Sequence, residues 1–294
     1  MDLSIVILSY NTHVLLNDCL RSVMLDAQNL AAEIFIVDSG STDGSIELVR
    51  ESFPAVKLII TEGFGGFAYA NNLALHQASG RYQLLLNSDT VLPRGALRQC
   101  VAFMDAHSDA GVMGVKLVKG DGTLDLACRR SFPTPGVAFA HFSGLSKLFP
   151  RSPLFARYNL TFLDPDETYE VDSVCGAFML TRQAALNEVG LLDEQFFFYG
   201  EDLDWAYRFK QAGWKVYYYA DVKVVHYKGQ TSRQQSDRMI TEFYNAMRLF
   251  YRKHYAARGA RLERGFILAG ISLGECLAKF RNRLRPADAK RVTP

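Results

Sequence analysis

The chain lacks any Cys-x-x-Cys pair, any internal repeat and any low-complexity tract, and its 33 Lys and Arg nearly balance 31 Asp and Glu for a net charge of +2. Each absence removes a class of function. So small a net charge, with no stretch that interleaves basic and aromatic side chains, excludes a nucleic-acid groove. The five scattered cysteines, Cys19, Cys100, Cys128, Cys175 and Cys276, are an odd number and fit reduced thiols, most of them filling a core, in a cytosolic chain. Met1 and Asp2 run straight into an apolar strand, without a basic stretch, an apolar segment and a cleavage site, so export is not expected.

With 49% apolar and 22% charged residues, 294 residues suffice for the core of one large α/β domain, or of one domain with an embellishment. Apolar runs at Ser4 to Ser9, Ile34 to Val37, Lys57 to Ile60 and Tyr82 to Leu86 each lead through a polar or Gly-containing turn into a helical pattern. The first such pattern is Leu15, Leu16, Cys19, Leu20 and Val23. Continuous apolar strands separated by helices predict a mostly parallel sheet covered on both faces. Ligands of such sheets bind beyond the carboxyl ends of the strands. The residues to read are therefore Tyr10-Asn11, Asp38-Ser39-Gly40-Ser41, Glu62 to Gly66 and Asn87-Ser88-Asp89, all polar, aromatic or glycine-rich.

The pattern changes after about residue 117. Residues 119–170 are rich in Gly, Pro, Arg and Phe and lack clear periodicity, which predicts a long insertion or mobile loop region rather than a separate domain. Strand signals return at Ala177 to Leu180, Lys215 to Tyr219 and Val222 to Val225. A helix runs from Asp202 to about Ala212, with Gly213 as its stop. The block Phe198-Tyr199-Gly200-Glu201-Asp202-Leu203-Asp204-Trp205 opens that helix, and His226 closes the last strand. Carboxylates crowded in this way repel, and persist where a cation, a proton or a substrate hydroxyl needs them. A helix N-terminus, which favours acidic residues, is the simpler account.

Five blocks together resemble the ordered signature of glycosyltransferase family 2. They are Val6 to Asn11, Val37 to Ser45, Gly66 to Asn72, Leu85 to Thr90, and Glu201-Asp202 through His226. The resemblance covers roughly residues 3–230. It implies a Rossmann-like GT-A fold and an inverting enzyme that moves a sugar from a nucleotide diphosphate to an acceptor hydroxyl, usually with a divalent metal, Mn²⁺ or Mg²⁺. The expected organisation is a catalytic domain over 1–230, with a nucleotide-binding half to about 117 and an acceptor half over 118–230, followed by a helical extension over 231–294.

Asp38 ends the second strand, where a carboxylate can accept the N3–H of uracil or thymine and so favours a dTDP- or UDP-linked donor; capping the helix near Gly44 is its other role, which Asp43 could equally take. The resemblance implies donor contacts for Ser9, Tyr10, Asn11, Gly66, Asn71, Asn87 and Ser88, a metal held by Asp89 and His226, and Asp202 as general base. It places Gly176, Glu201, Asp204 and Trp205 on the acceptor side. Where many relatives carry Asp-x-Asp this chain reads Asn87-Ser88-Asp89, and the amide supplies no charge, which weakens the expected metal dependence.

Phe250 to Tyr255 also resembles bacterial rhamnosyltransferases of this family, which use dTDP-L-rhamnose in cell-surface polysaccharide assembly. Further on, Phe266, Ile267, Leu268, Ile271, Leu273, Leu277 and Phe280 follow a helical pattern broken by Glu275 and glycines, ahead of Arg281, Arg283, Arg285, Lys290 and Arg291. This is too short and too interrupted to span a bilayer. It is either an interfacial helix whose basic tail meets the anionic cytoplasmic leaflet, or a helix packed on the domain or a second subunit. The first reading makes the protein peripheral on the inner face of the plasma membrane, and its acceptor a lipid-linked saccharide. A nucleotidyltransferase is disfavoured because Ser9 to His13 has neither glycine nor Arg/Lys for a triphosphate. A non-catalytic glycan-binding relative would not need Asp89, Asp202 and His226 together.

Overall fold

The computed structural model describes residues 1–227 and 236–285, so Lys290 and Arg291 lie outside the described residues. Strands β1 (Leu3–Ser9), β2 (Ala32–Asp38), β3 (Lys57–Ile60) and β4 (Tyr82–Asn87) run parallel in the order β3-β2-β1-β4. Helices α1 (His13–Asp26), α2 (Ser45–Ser52) and α3 (Phe67–Leu75) connect them. Both faces of β1, β2 and β4 are buried, which is why their sequences are apolar without alternation. The register pairs Ser9 with Asp38 and Leu8 with Asn87, so three strand ends finish level at one rim.

Beyond β4 the sheet changes character. β8 (Phe178–Arg182) runs antiparallel to β4 and to β6 (Ala110–Val118), while β6 runs parallel to β9 (Lys215–His226). The short strands β5 (Thr90–Val91) and β7 (Tyr169–Val171) lie antiparallel to β9. Half of the sheet is thus mixed, and β6 is a strand that periodicity does not announce. Gly111 and Gly114 break its apolar run for a packing reason: a Cβ at either would meet Trp214 at 2.6 Å or Val174 at 2.5 Å. The two expected strands at 215–219 and 222–225 are one, carried through by a register shift opposite Val115 and Lys116.

Residues 119–170, expected as a long insertion or mobile loop region, carry helical turns of their own. They hold a turn of 3₁₀ helix at Leu126–Cys128, α5 (Pro135–Phe142) and α6 (Leu145–Leu148). Arg129 anchors them from within: it is buried, donates to the carbonyls of Asp164 (2.7 Å) and Leu163 (2.8 Å), and stacks over the Tyr218 ring. Helices α4 (Ala96–Ala106) and α7 (Gln183–Val189) cover the sheet.

α8 (Glu201–Gln211) opens at Gly200, whose φ of +80° suits glycine. α9 (Ser236–His254) packs on it through Phe196, Leu203, Tyr207, Ala246 and Phe250. α10 (Arg261–Leu284) then packs on α9: Ile271 meets Met239, Ile240 and Tyr244, and Arg248 bonds Glu275 at 2.5 Å. The opposite face of α10 leaves Leu262, Phe266, Leu273, Leu277, Phe280 and Leu284 exposed. No helix among the described residues is long and apolar enough to cross a membrane.

Candidate active site

The rim of β1 and β2 is stitched by side chains. Asp38 is buried, and its two oxygens accept from the Ser41 amide and hydroxyl at 2.7 Å each. Ser41 Oγ in turn accepts from the Asn11 amide (2.9 Å), and Asn11 Oδ1 accepts from the Thr42 amide (2.8 Å). Asn11 sits at φ +50°, a conformation asparagine tolerates better than most residues. Asp43, not Asp38, serves the helix ends: it accepts from the Ser45 amide and hydroxyl and from the His13 amide. Ser9 reaches Ser88 through Thr12, by contacts of 3.4 and 3.1 Å. Tyr10 faces Phe64 at 6.0 Å, and Phe64 packs on Phe197 and Phe198, forming an aromatic wall beside the rim.

Two residues read as donor contacts are occupied in packing. A Cβ at Gly66 would stand 2.8 Å from Phe197 O, the same carbonyl that accepts from Phe67 N, so Gly66 lets the 196–199 loop close on α3. The buried Asn71 amide donates to Phe67 O within that helix.

Asp89 and His226 meet as expected, because β5 pairs Thr90 with His226 and the Tyr227 amide donates to Asp89 O. His226 Nε2 lies 3.3 Å from Asp89 Oδ1 and 3.5 Å from the Asn87 amide nitrogen. Its Nδ1 lies 3.1 Å from Asp125 Oδ2. Burial pulls the imidazole pKa down, but the two carboxylates outweigh it and push it up to about 9. Asp125 is a residue that sequence reasoning missed; its only local signal is capping the 3₁₀ turn at Ala127. With Nδ1 held by the Asp125 carboxylate, Nε2 is the nitrogen left facing Asp89 and Asn87. The protein side of a cation site here is one carboxylate and one imidazole, since Asn87 turns its amide nitrogen toward Nε2, and diphosphate and water would have to complete the shell. Among the described residues no three His, Cys, Asp or Glu side chains form a group that could hold a metal ion, so a cation held by protein alone is not what this set fits.

Asp202 occupies the first turn of α8. Its Oδ2 accepts from Arg130 Nη2 at 2.6 Å and from Gly176 N at 3.1 Å, and its Oδ1 from Leu203 N at 2.7 Å. Gly176 therefore serves through its amide; a Cβ there would make only ordinary contacts with Phe67 and Asp202. The adjoining Ala177 carbonyl accepts from the Asn87 amide, so the two residues Gly176 and Ala177 bond to Asp202 on one side and to the end of β4 on the other. Glu201 is buried with Oε2 unpartnered; burial first, then the Asp202 charge, push its pKa up to about 8.

Asp204 and Trp205, read as acceptor-side residues, both point into the interior. Asp204 is fully buried, and its carboxylate is taken by Arg208 (2.8 Å), Lys253 (2.8 Å) and His254 (2.7 Å). Trp205 lies in the core, its indole donating to Gly190 O. Helical periodicity turns these two residues inward.

The fold is that of GT-A glycosyltransferases. Staphylococcus aureus TarS, in its 1–349 fragment, superposes with a TM-score of 0.55 at 19% identity over 93% of this chain and 71% of that one. The mannosyltransferase PcManGT of Pyrobaculum calidifontis, solved with GDP-Man and Mn²⁺, does so with 0.55 at 18% identity over 94% and 74%. The sequence profile of glycosyl transferase family 2 matches residues 4–190, more than half of the chain, and the protein belongs to that family. An N-acetylglucosaminyl-diphospho-decaprenol L-rhamnosyltransferase of Mycobacterium tuberculosis is 28% identical over 78% of this chain and 77% of its own length. The chain spans about half of full-length TarS, 47%, at 23% identity. The profile match ends before α8, so the roles of Glu201 and Asp202 rest on geometry.

Proposed function

We propose that this glycosyltransferase moves L-rhamnose from dTDP-L-rhamnose, with inversion, to a hydroxyl of a lipid-linked saccharide in bacterial cell-surface polysaccharide assembly. The observation that carries the reading is the Gly176-Ala177 peptide, which ties Asp202 to the strand end bearing Asn87, Ser88 and Asp89. A single displacement needs the base and the leaving-group site on the two sides of one acceptor position, and this short segment joins them.

Asp38 would receive the pyrimidine N3–H. Each of its oxygens accepts one bond from Ser41 and keeps a further lone pair. Tyr10 and Phe64 offer ring faces beside it. Asp89 and His226 would hold Mn²⁺ or Mg²⁺, with Asn87 and Ser88 near the sugar. When bound, the cation neutralises charge on the departing diphosphate. Asp202 takes the acceptor proton as the hydroxyl oxygen attacks the anomeric carbon and the bond to diphosphate breaks. Glu201 lies beside it for an acceptor hydroxyl.

Support for a lipid-linked acceptor comes from the name of the mycobacterial relative and from the exposed apolar face of α10, whose last turn carries Arg281 and Arg283, with Arg285 just after it. Such a face would hold the extension, residues 231–294, against an anionic leaflet on the cytoplasmic side, with residues 1–230 as the catalytic unit. Uracil presents the same N3–H as thymine, so a UDP-sugar is the competing donor. Thermal shift with dTDP-, UDP- and GDP-sugars, with and without Mn²⁺, separates them. In parallel, Asp202→Asn should leave donor affinity within a few-fold while turnover falls by about 10²–10⁴. Preference for GDP-sugars would sink the role of Asp38, and normal turnover in the variant that of Asp202.

A further inference from the structure

A carboxylate takes a proton only in its charged form, and a cation at hydrogen-bond distance favours that form. The guanidinium of Arg130 is such a cation for Asp202. It is buried with Asp202, its Nη2 sits 2.6 Å from Oδ2, and the same nitrogen donates to Val174 O at 2.8 Å. The Arg130 backbone is locked by a two-way bridge to Ser173, at 2.8 and 3.0 Å. Arg130 Nε is buried without a hydrogen-bond partner, so the side chain reaches Asp202 with one donor left unsatisfied. Oδ2 accepts two bonds and Oδ1 only that of Leu203 N.

We infer that Arg130 is a positioning residue for the transfer step, pairing with the Asp202 carboxylate and saturating Oδ2 so that Oδ1 is the atom that takes the acceptor proton. The inference rests on Asp202 being the base. In the step, the acceptor O–H gives its proton to Oδ1, the oxygen bonds the anomeric carbon, and the diphosphate leaves with the electron pair of the broken C–O bond. The carboxylic acid so formed stays beside Arg130 until its proton passes to solvent. The groups that face this pair are Glu201 on α8, and Tyr158 and Cys175 from the segments packed around Arg130.

The test is the dependence of kcat/KM on pH for wild type, Arg130→Met and Arg130→Lys, from about pH 5 to about pH 9, with donor binding followed in each. Arg130→Met should bind donor within a few-fold of wild type, and its acidic limb should move up by about 1–3 pH units, so that activity returns as pH rises. Arg130→Lys, which keeps the charge, should keep the limb near that of wild type. If Arg130→Met does not fold, Arg130→Gln carries the same expectation. A loss equal at every pH, or Lys and Met variants with the same limb, overturns the inference. Near-normal turnover in Asp202→Asn would instead remove the base reading beneath it.

Discussion

His254 Nε2 lies 2.7 Å from Asp204 Oδ1, so the last residue of α9 is tied to α8 two positions from Asp202. Lys253 and Arg208 share the same carboxylate. The C-terminal helical pair is thus joined to the helix that carries the proposed base. Asp204→Asn leaves three donors facing an amide in place of a buried charge, and should cost roughly 3 kcal/mol, because removing one partner strands the others. Urea unfolding measures this. A loss below about 0.5 kcal/mol would reduce the latch to surface pairing.

Glu201 predicts a pH effect with a definite sign. Its pKa rises from an ordinary 4.5 to about 8 in the folded chain, so the folded state holds the proton more tightly. Stability from this group is full below pH 4.5 and is lost as pH rises through about 8. Glu201→Gln mimics the protonated acid, so the Tm of the variant should gain on that of wild type across this window. Parallel Tm curves would show that Glu201 does not titrate there.

At the metal site, Asp89→Ala and His226→Ala should weaken donor binding in Mn²⁺ buffer and change little in EDTA. Asp125→Asn should lower Mn²⁺ affinity by about 10- to 100-fold by releasing His226 Nδ1. Calorimetric titration of Mn²⁺ in the presence of dTDP reads this. Equal losses with and without metal would make all three residues structural.

On α10, Leu273→Glu with Phe280→Glu should abolish flotation with anionic vesicles while leaving Tm nearly unchanged, since both side chains are exposed. Wild-type binding should weaken steeply with salt, because each basic residue near the surface contributes about 1 kcal/mol and is screened. Truncation after Gly259 is a poorer test, as it would uncover Met239, Ile240 and Tyr244 on α9. Vesicle binding that survives both changes would assign this face to another partner.

What the sequence by itself determined is local. Uninterrupted apolar runs over Ser4–Ser9 and Tyr82–Leu86 mark strands buried on both faces, and the turn residues after them, with Asp38 and Asp89, mark the rim. Spacing of a few residues is enough for such inferences, since pleat and helix repeat over a few residues. β6 escaped because its glycines serve packing by distant side chains. Only the tertiary structure decided which charges meet: Arg130 with Asp202 across 72 positions, Asp125 with His226 across 101, and His254 with Asp204 across 50. It thereby separated Asp202, paired and facing Gly176, from Asp204, which lies two residues on and is sealed in the core. The physical reason is that a carboxylate's role follows from its solvent and its partners, and both are set by chain segments remote in sequence.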